Sequence, residues 1–391
     1  MRFQPPDMDQ TSFYSQEQSF RELHESQYQC FGMEVVPGNA CQLHCEACYK
    51  KMHSALASQL DSQYTPLPVA KNYIDQAREA GFSEAALLGG EPTLHPNITD
   101  ILRHIRDRGL LPILCTNGIK LADARLAQEI NEVHPTVVTH AYFPGGEEVI
   151  DRYADRNGYA AQLKTAIDNM LARQQTTLVL EMPLTDSLFP HAYDFFRYCR
   201  HRNVIPFVEI SRHRDTGAST TNITPEQITE LFEQFREYDR KYDHAVKEPT
   251  ICPPAYNTPC TMSITGAHVK NSGGGDFGGV FSCCAQRIRH GDLREEPLAM
   301  IMQSQTMGLY KNQDRYIVGP CKDCDIYSIC RGGCRGEALL TFGCPRASCP
   351  ACSRIPEHVR RDPDIMAPES CTGCPAENAD GCSLLHKQHV R

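Results

Sequence analysis

Three thiols pose the first chemical question. Cys41, Cys45 and Cys48 stand within eight residues of one another in "NACQLHCEACYKK" (39–51), and no fourth cysteine lies beside them. A closed tetrahedral metal site needs four ligands. Either a distant residue completes this one, as in a zinc site that borrows a ligand, or a coordination position is left open. Two further stretches carry polar groups on turns. "LLGGEPTLHP" (87–96) sets Glu91 behind the pair Gly89 and Gly90, and "LCTNGIKL" (114–121) sets Thr116 and Asn117 before a glycine. Taken singly, either is an ordinary turn signal.

The chain of 391 residues carries 20 cysteines, six before residue 250 and fourteen from Cys252 onward. Such density in a reducing compartment points to metal ligation rather than to disulfides. The polar start, "MRFQPPDMDQTSFYSQEQSF", lacks the apolar stretch of a secretion signal, and no run approaches the ~20 apolar residues of a membrane span. A cytoplasmic protein with no membrane partner is therefore expected. The net charge of −9 and the pI near 6.0 argue against a nucleic-acid-binding face. With 41% hydrophobic and 22% charged residues the composition is that of a globular protein with a sizeable core.

The elements that must hold these residues alternate in type. Strand-like runs are "FGMEVV" (31–36), "EAALLGG" (84–90), "LLPILCT" (110–116), "TVVTHAYF" (136–143), "TTLVLEM" (176–182) and "VIPFVEI" (204–210). Helical spacing falls between them, over 69–81 and over 97–109, where Ile98, Ile101, Leu102 and Ile105 form one stripe and Gly109 is a natural stop. A further helix starts at "TPEQITELFEQF" (224–235), with Thr224 and Gln227 as a capping box, Pro225 in the first turn, and Ile228, Leu231, Phe232 and Phe235 as the buried stripe. Six strands alternating with helices predict an α/β fold of parallel βα units, a partial barrel rather than a closed eight-unit one. Chemistry in such folds gathers at the C-terminal strand ends. The cysteine triad follows strand one, GGEP ends strand two and TNG ends strand three, so all three face one mouth. Beyond about residue 245 the texture turns to loops rich in Cys, Gly and Pro, which would fold around metal for want of an apolar core. The expected organisation is a polar extension (1–27), the barrel (28–245), a cysteine-rich, loop-dominated iron–sulfur domain (246–355) and a cysteine-containing tail (356–391).

The spacing C-x3-C-x2-C in "CQLHCEACY" resembles the signature of radical SAM enzymes, and the GGEP and TNG segments resemble that family's next two motifs in order and spacing. The resemblance implies that Cys41, Cys45 and Cys48 bind three irons of a [4Fe–4S] cluster. The fourth iron would chelate S-adenosylmethionine, whose reductive cleavage gives a 5′-deoxyadenosyl radical that abstracts a substrate hydrogen. By the same likeness Gly89 and Gly90 approach the methionine moiety, Glu91 accepts from its ammonium group, and Thr116 and Asn117 sit near the cofactor. The position before the third cysteine, often aromatic in the family, is Ala47, and Tyr49 follows as a cofactor-binding candidate. Relatives carry a Ser-Leu-Asp-Gly-like end on strand four; here the chain reads "THAYFPGG", so Thr139, His140 and Glu181 are the candidates for contacts to the cofactor.

"CKDCDIYSICRGGC" (321–334) and "GGVFSC" (278–283) resemble the SPASM domain of the same superfamily, extending the likeness over roughly residues 30 to 352. It implies two auxiliary [4Fe–4S] clusters. One takes Cys321, Cys324, Cys330 and Cys352, with Cys349 as the alternative to Cys352. The other takes Cys252, Cys260, Cys283 and Cys334. Cys344, Cys349, Cys371, Cys374 and Cys382 remain for a further cluster or a zinc ion, while Cys30, Cys115 and Cys199 read as buried thiols. Cys284 stands where oxidising relatives can carry an acid. A thiol there could donate a hydrogen atom to a substrate radical, could replace Cys283 as the ligand, or could be inert.

Auxiliary clusters filled by thiolates suit removal of an electron from a substrate radical. The expected function is oxidative modification or cross-linking of a peptide or protein, with oxidation or epimerisation of a small molecule such as a sugar or aminocyclitol as the alternative. Flavodoxin or ferredoxin would be the electron donor. A non-catalytic iron–sulfur carrier is the third reading, against which the carboxylate of GGEP argues.

Overall fold

The computed structural model describes residues 30–38, 40–48, 64–172, 176–210, 222–242, 265–272, 274–284, 286, 288–325, 327, 331–350, 352 and 354–367. Tyr49, Cys252, Cys260, Cys330, Cys371, Cys374 and Cys382 lie outside them, as does the N-terminal extension.

Six parallel strands form the frame: β1 (Cys30–Glu34), β2 (Glu84–Leu88), β3 (Leu111–Cys115), β4 (Thr136–His140), β5 (Thr177–Leu184) and β6 (Ile205–Ile210). Each pairs with its neighbour in sequence order, in parallel. Between them run α1 (Leu67–Glu79), α2 (Ile98–Asp107), α3 (Ala124–Asn131), α4 (Glu147–Ala154), α5 (Tyr159–Leu171) and α6 (Ala192–Arg202), and α7 (Pro225–Lys241) follows β6. This is the partial-barrel arrangement the alternation predicts, and every expected strand is present within a few residues of its expected bounds.

Local chemistry explains the ends. β2 stops at Leu88 because Gly89 takes φ +136°, a left-handed conformation that favours glycine. Gly109, at φ +73° with open space around it, closes the turn after α2, where Leu110 N–H donates back to Ile105 C=O at 3.1 Å. At α7 the capping box forms in full: Thr224 Oγ1 accepts from Gln227 N–H at 3.3 Å, and Gln227 Oε1 accepts from Thr224 N–H at 2.8 Å. The α7 stripe is buried, with Phe235 stacked on Phe196 of α6 at 4.2 Å.

The sheet has two unlike faces. Phe31, Met33, Leu87, Leu114, Val137, Leu180 and Met182 pack into one apolar core with the helices. Strand residues alternate sides and paired residues share one, so Gly32 and Glu34, Ile113 and Cys115, Val138 and His140, and Val179 and Glu181 form the other face. Most of these are only half-buried. That face lines the interior of the barrel.

The C-terminal region is cysteine-rich and loop-dominated, as expected, and adds strands that the sequence did not announce. Three short strands, β7 (Ala267–Lys270), β8 (Gly279–Phe281) and β9 (Gly291–Asp292), extend the same sheet past β1, giving the order β6-β5-β4-β3-β2-β1-β7-β8-β9. β7 runs parallel to β1, and β8 and β9 continue antiparallel. The junction is polar and buried. His268 lies over Gly32, where an added Cβ would stand 2.3 Å from the ring, and its Nε2 is 3.1 Å from the carboxylate of Glu34. Asn271 N–H donates to the same carboxylate at 3.2 Å, and Asn271 Nδ2 reaches Thr65 Oγ1 at 3.1 Å.

Candidate active site

The cysteine loop is held from three sides. Ala40 C=O accepts from Glu91 N–H at 2.8 Å, which ties the loop to the end of β2. The last carbonyls of α4, Tyr153 and Ala154, have no partner within their helix and accept from Glu46 N–H at 2.8 Å and His44 N–H at 3.2 Å. Ser187, after β5, donates from Oγ to the Glu46 carboxylate at 2.7 Å. Cys45 is thereby buried, and Cys41 and Cys48 stay partly open.

The glycine pair has a clear steric role. A Cβ on Gly89 would lie 2.5 Å from Val36 O, and one on Gly90 would lie 2.2 Å from Ala40 O. The close approach these glycines permit is that of the β2 end to the cysteine loop itself.

Glu91 is 1% exposed and organises the strand ends around it. Its Oε1 accepts from Thr93 N–H at 2.9 Å, Thr93 Oγ1–H at 2.5 Å and Thr116 Oγ1–H at 2.6 Å, and its Oε2 accepts from Asn117 N–H at 2.6 Å. Burial raises its pKa, and these hydrogen bonds work against the rise. Asn117 turns its amide toward the cysteine loop: Nδ2 is 3.0 Å from Gln42 Oε1 and 3.6 Å from Cys41 Sγ. Burial likewise raises the Cys41 thiol, while Leu43 N–H and the Asn117 amide pull it back toward thiolate. The structure thus brings Cys41, Glu91, Thr116 and Asn117 into one contact network.

His140 joins that network through a residue the sequence reading missed. Tyr159 Oη–H donates to Asn117 C=O at 2.7 Å, so its oxygen can only accept from His140 Nδ1, 2.9 Å away. His140 therefore carries its proton on Nδ1 and turns an unprotonated Nε2 elsewhere. Burial pushes its pKa down to about 4, which keeps the ring neutral. His140 and Glu181, paired across β4 and β5, line a small pocket with Tyr153, Tyr159, Ile150 and Leu188. Thr139 lies on the opposite face of β4, buried against the helices beside Gly118, and not in this pocket.

Cys115 shares the interior face with Glu181. Burial raises its thiol, and the charges of Glu181, Cys30 and Cys284 add to the rise. Cys30 is pushed up to about 12 by burial, then by Glu84 and Cys284. Cys284 therefore lies near two thiols of the barrel interior, whereas Cys199 is a wholly buried thiol of α6, as expected.

In the C-terminal region Cys321, Cys349 and Cys352 share one small buried cluster with Ile317, Ile355 and Met366. Burial raises the Cys352 thiol, with the charges of Cys321 and Cys324 contributing. Cys344 packs separately with Ala338 and Ala347. Cys334 is half-buried at the start of a helix, α8 (Arg335–Phe342). Among the described residues no three His, Cys, Asp or Glu side chains close on a single-ion site.

Comparisons with known proteins agree on the class. Residues 35–196 match the model of the radical SAM superfamily, and residues 276–325 match the iron–sulfur cluster-binding domain called SPASM. The chain belongs to the radical SAM superfamily and is an enzyme of its SPASM-bearing branch. It is 25% identical over 340 residues to the PqqA peptide cyclase of Ruegeria pomeroyi, covering 81% of this chain and 86% of that one. It is 23% identical over 344 residues to the AdoMet-dependent heme synthase of Oleidesulfovibrio alaskensis, covering 81% and 85%. Among solved structures, Streptococcus suis SuiB bound to its precursor peptide SuiA superposes with a TM-score of 0.64 at 15% identity, over 90% of this chain and 84% of that one. That likeness speaks for the fold. Among the described residues no helix is long and apolar enough to cross a membrane.

Proposed function

We propose that the protein is a peptide- or protein-modifying radical SAM enzyme, and that Cys41, Cys45 and Cys48 hold the cluster that binds S-adenosylmethionine. The observation that carries this reading is the network joining Cys41, Asn117, Thr116 and Glu91 at one end of the barrel. The donor set fits the group. Three soft thiols on one loop suit an iron–sulfur cluster. Bound there, the cluster and S-adenosylmethionine supply a 5′-deoxyadenosyl radical that takes a hydrogen atom from the substrate.

The chain's own residues act by orientation. Asn117 donates to Cys41 sulfur and Glu91 fixes Asn117 and Thr116, and Glu91 with Gly89 and Gly90 would hold the methionine end of S-adenosylmethionine. Tyr49 completes the cofactor side. His140 Nε2 offers a neutral acceptor to a donor group in the interior, and Glu181 stands next to it. Cys252, Cys260, Cys283 and Cys334 hold one auxiliary cluster, and Cys321, Cys324, Cys330 and Cys352 hold the second. The shared burial of Cys321 with Cys352 supports the latter set, and Cys349 in the same cluster is its alternative fourth ligand. The barrel of residues 28–245 and the iron–sulfur domain of 246–355 then work as the two parts of one enzyme.

A peptide substrate is favoured by the cyclase relative, while the heme synthase relative supports a small molecule as the second reading. Where the outcome is epimerisation, Cys284 is the hydrogen donor: its S–H bond breaks, a C–H bond forms, and a thiyl radical remains on Cys284. Anaerobic reconstitution followed by dithionite and S-adenosylmethionine tests the main reading. Formation of 5′-deoxyadenosine is expected, with Cys284→Ser leaving it intact. Its absence with and without candidate peptides contradicts the reading and favours an iron–sulfur carrier.

A further inference from the structure

One buried group near the proposed auxiliary ligand Cys283 has no partner among the described residues. Gln286 follows Cys283 by three residues, and its N–H closes the turn onto Cys283 C=O at 3.2 Å. Its side chain is wholly buried. Oε1 accepts from Tyr310 Oη–H at 2.8 Å, and the backbone C=O accepts from the Lys270 ammonium. Among the described residues every polar group of Gln286 is thus engaged except Nε2, which is buried without a partner. His290 Nε2 is a second such atom, on a ring lying edge-on to Tyr310 at 5.4 Å.

A buried amide with two unmade N–H bonds is destabilising unless an acceptor reaches it. With Oε1 turned to Tyr310, the end of the amide left over is Nε2, and the missing acceptor must face it. The group implied beside it, on the reading that Cys283 is a cluster ligand, is rich in sulfur acceptors. We propose that Gln286 Nε2–H donates a hydrogen bond to a sulfur of the auxiliary cluster held by Cys283 and thereby raises the reduction potential of that cluster. Reduction adds negative charge to the cluster, and a donor aimed at its sulfur stabilises that state most. The Lys270 ammonium, reaching the Gln286 carbonyl from β7, brings positive charge to the same turn. Gln286 is a positioning and tuning residue here and touches no substrate.

The test is an EPR-monitored redox titration of the anaerobically reconstituted full chain, in wild type, Cys283→Ala, Gln286→Met and Tyr310→Phe. One cluster signal is expected to vanish in Cys283→Ala. In Gln286→Met the same signal persists with its midpoint lowered by about 60 mV, a tenfold change in the reduced-to-oxidised ratio at fixed potential. The other midpoints stay put. Tyr310→Phe, which frees the amide, shifts the same midpoint in the same direction by less. If Cys283→Ala removes a signal but Gln286→Met leaves its midpoint unchanged, the proposal is overturned. If Gln286→Met does not assemble its clusters, an unchanged midpoint in Tyr310→Phe overturns it instead. Retention of every signal in Cys283→Ala sinks the ligand assignment, a separate failure from that of the hydrogen bond.

Discussion

The barrel and the cysteine-rich region at 317–367 are held together by different forces. On the helix-facing side of β1–β6 the sheet buries an apolar layer continuous with α1–α7. Among the described residues of the second region one buried apolar cluster has six members, and three of them are cysteines: Cys321, Cys349 and Cys352. Polar staples stand in for the missing core. Arg335, 2% exposed, donates from Nη1 to Ala347 C=O at 2.6 Å and to Pro345 C=O at 3.2 Å, and it also reaches the carbonyls of Gly332 and Gly333. Ser348 Oγ accepts from Cys321 N–H and donates to Val318 C=O, both at 2.8 Å. Hydrophobic burial scales with apolar area, so the first region draws its stability from its core, whereas the second would draw much of its own from whatever its thiols ligate.

The sharpest way to break that contrast is to remove the metal. Hydrogen exchange of chelator-treated protein should leave β1–β6 protected as before and speed exchange over 317–367 by about a hundredfold or more. Equal loss in both regions would refute the division. Arg335→Leu comes next: it orphans four buried carbonyls and should destabilise the C-terminal region by about 3 kcal/mol, leaving barrel exchange unchanged. Glu91→Gln acts on the other side. It replaces an all-acceptor carboxylate with an amide facing four donors, so a loss of about 2 kcal/mol in barrel stability is expected in urea titration, together with weaker S-adenosylmethionine binding by calorimetry. Smallest is Thr224→Ala, which removes one half of the α7 capping box and should cost about 1 kcal/mol of barrel stability.

The same contrast explains how much the sequence disclosed. β1–β6 could be read because each is a β-rich run bounded by turn residues, and α2 and α7 because their apolar stripes and end signals agree. The motif residues on the loops after β1, β2 and β3 were legible by their types and spacing, and they do meet at one mouth. β7–β9 were not: strands of four, three and two residues carry no measurable period, and Ala267–Lys270 becomes a strand through its pairing with β1 on one side and β8 on the other. Tyr159 was missed because it opens a helix as an unremarkable aromatic, and only the fold brings its hydroxyl between Asn117 and His140. Arg335 was missed for the opposite reason, since a buried arginine runs against composition. Glu34 and His268 are 234 positions apart, a pairing no local pattern announces.

The central claim is that one iron of the cluster on Cys41, Cys45 and Cys48 is left without a protein ligand so that S-adenosylmethionine can occupy it. EPR of the reduced protein in which only that cluster is intact, recorded before and after adding S-adenosylmethionine, tests this directly. The account predicts a change in the cluster's g-values on addition, abolished by Cys45→Ala. A spectrum that S-adenosylmethionine leaves unaltered would contradict it.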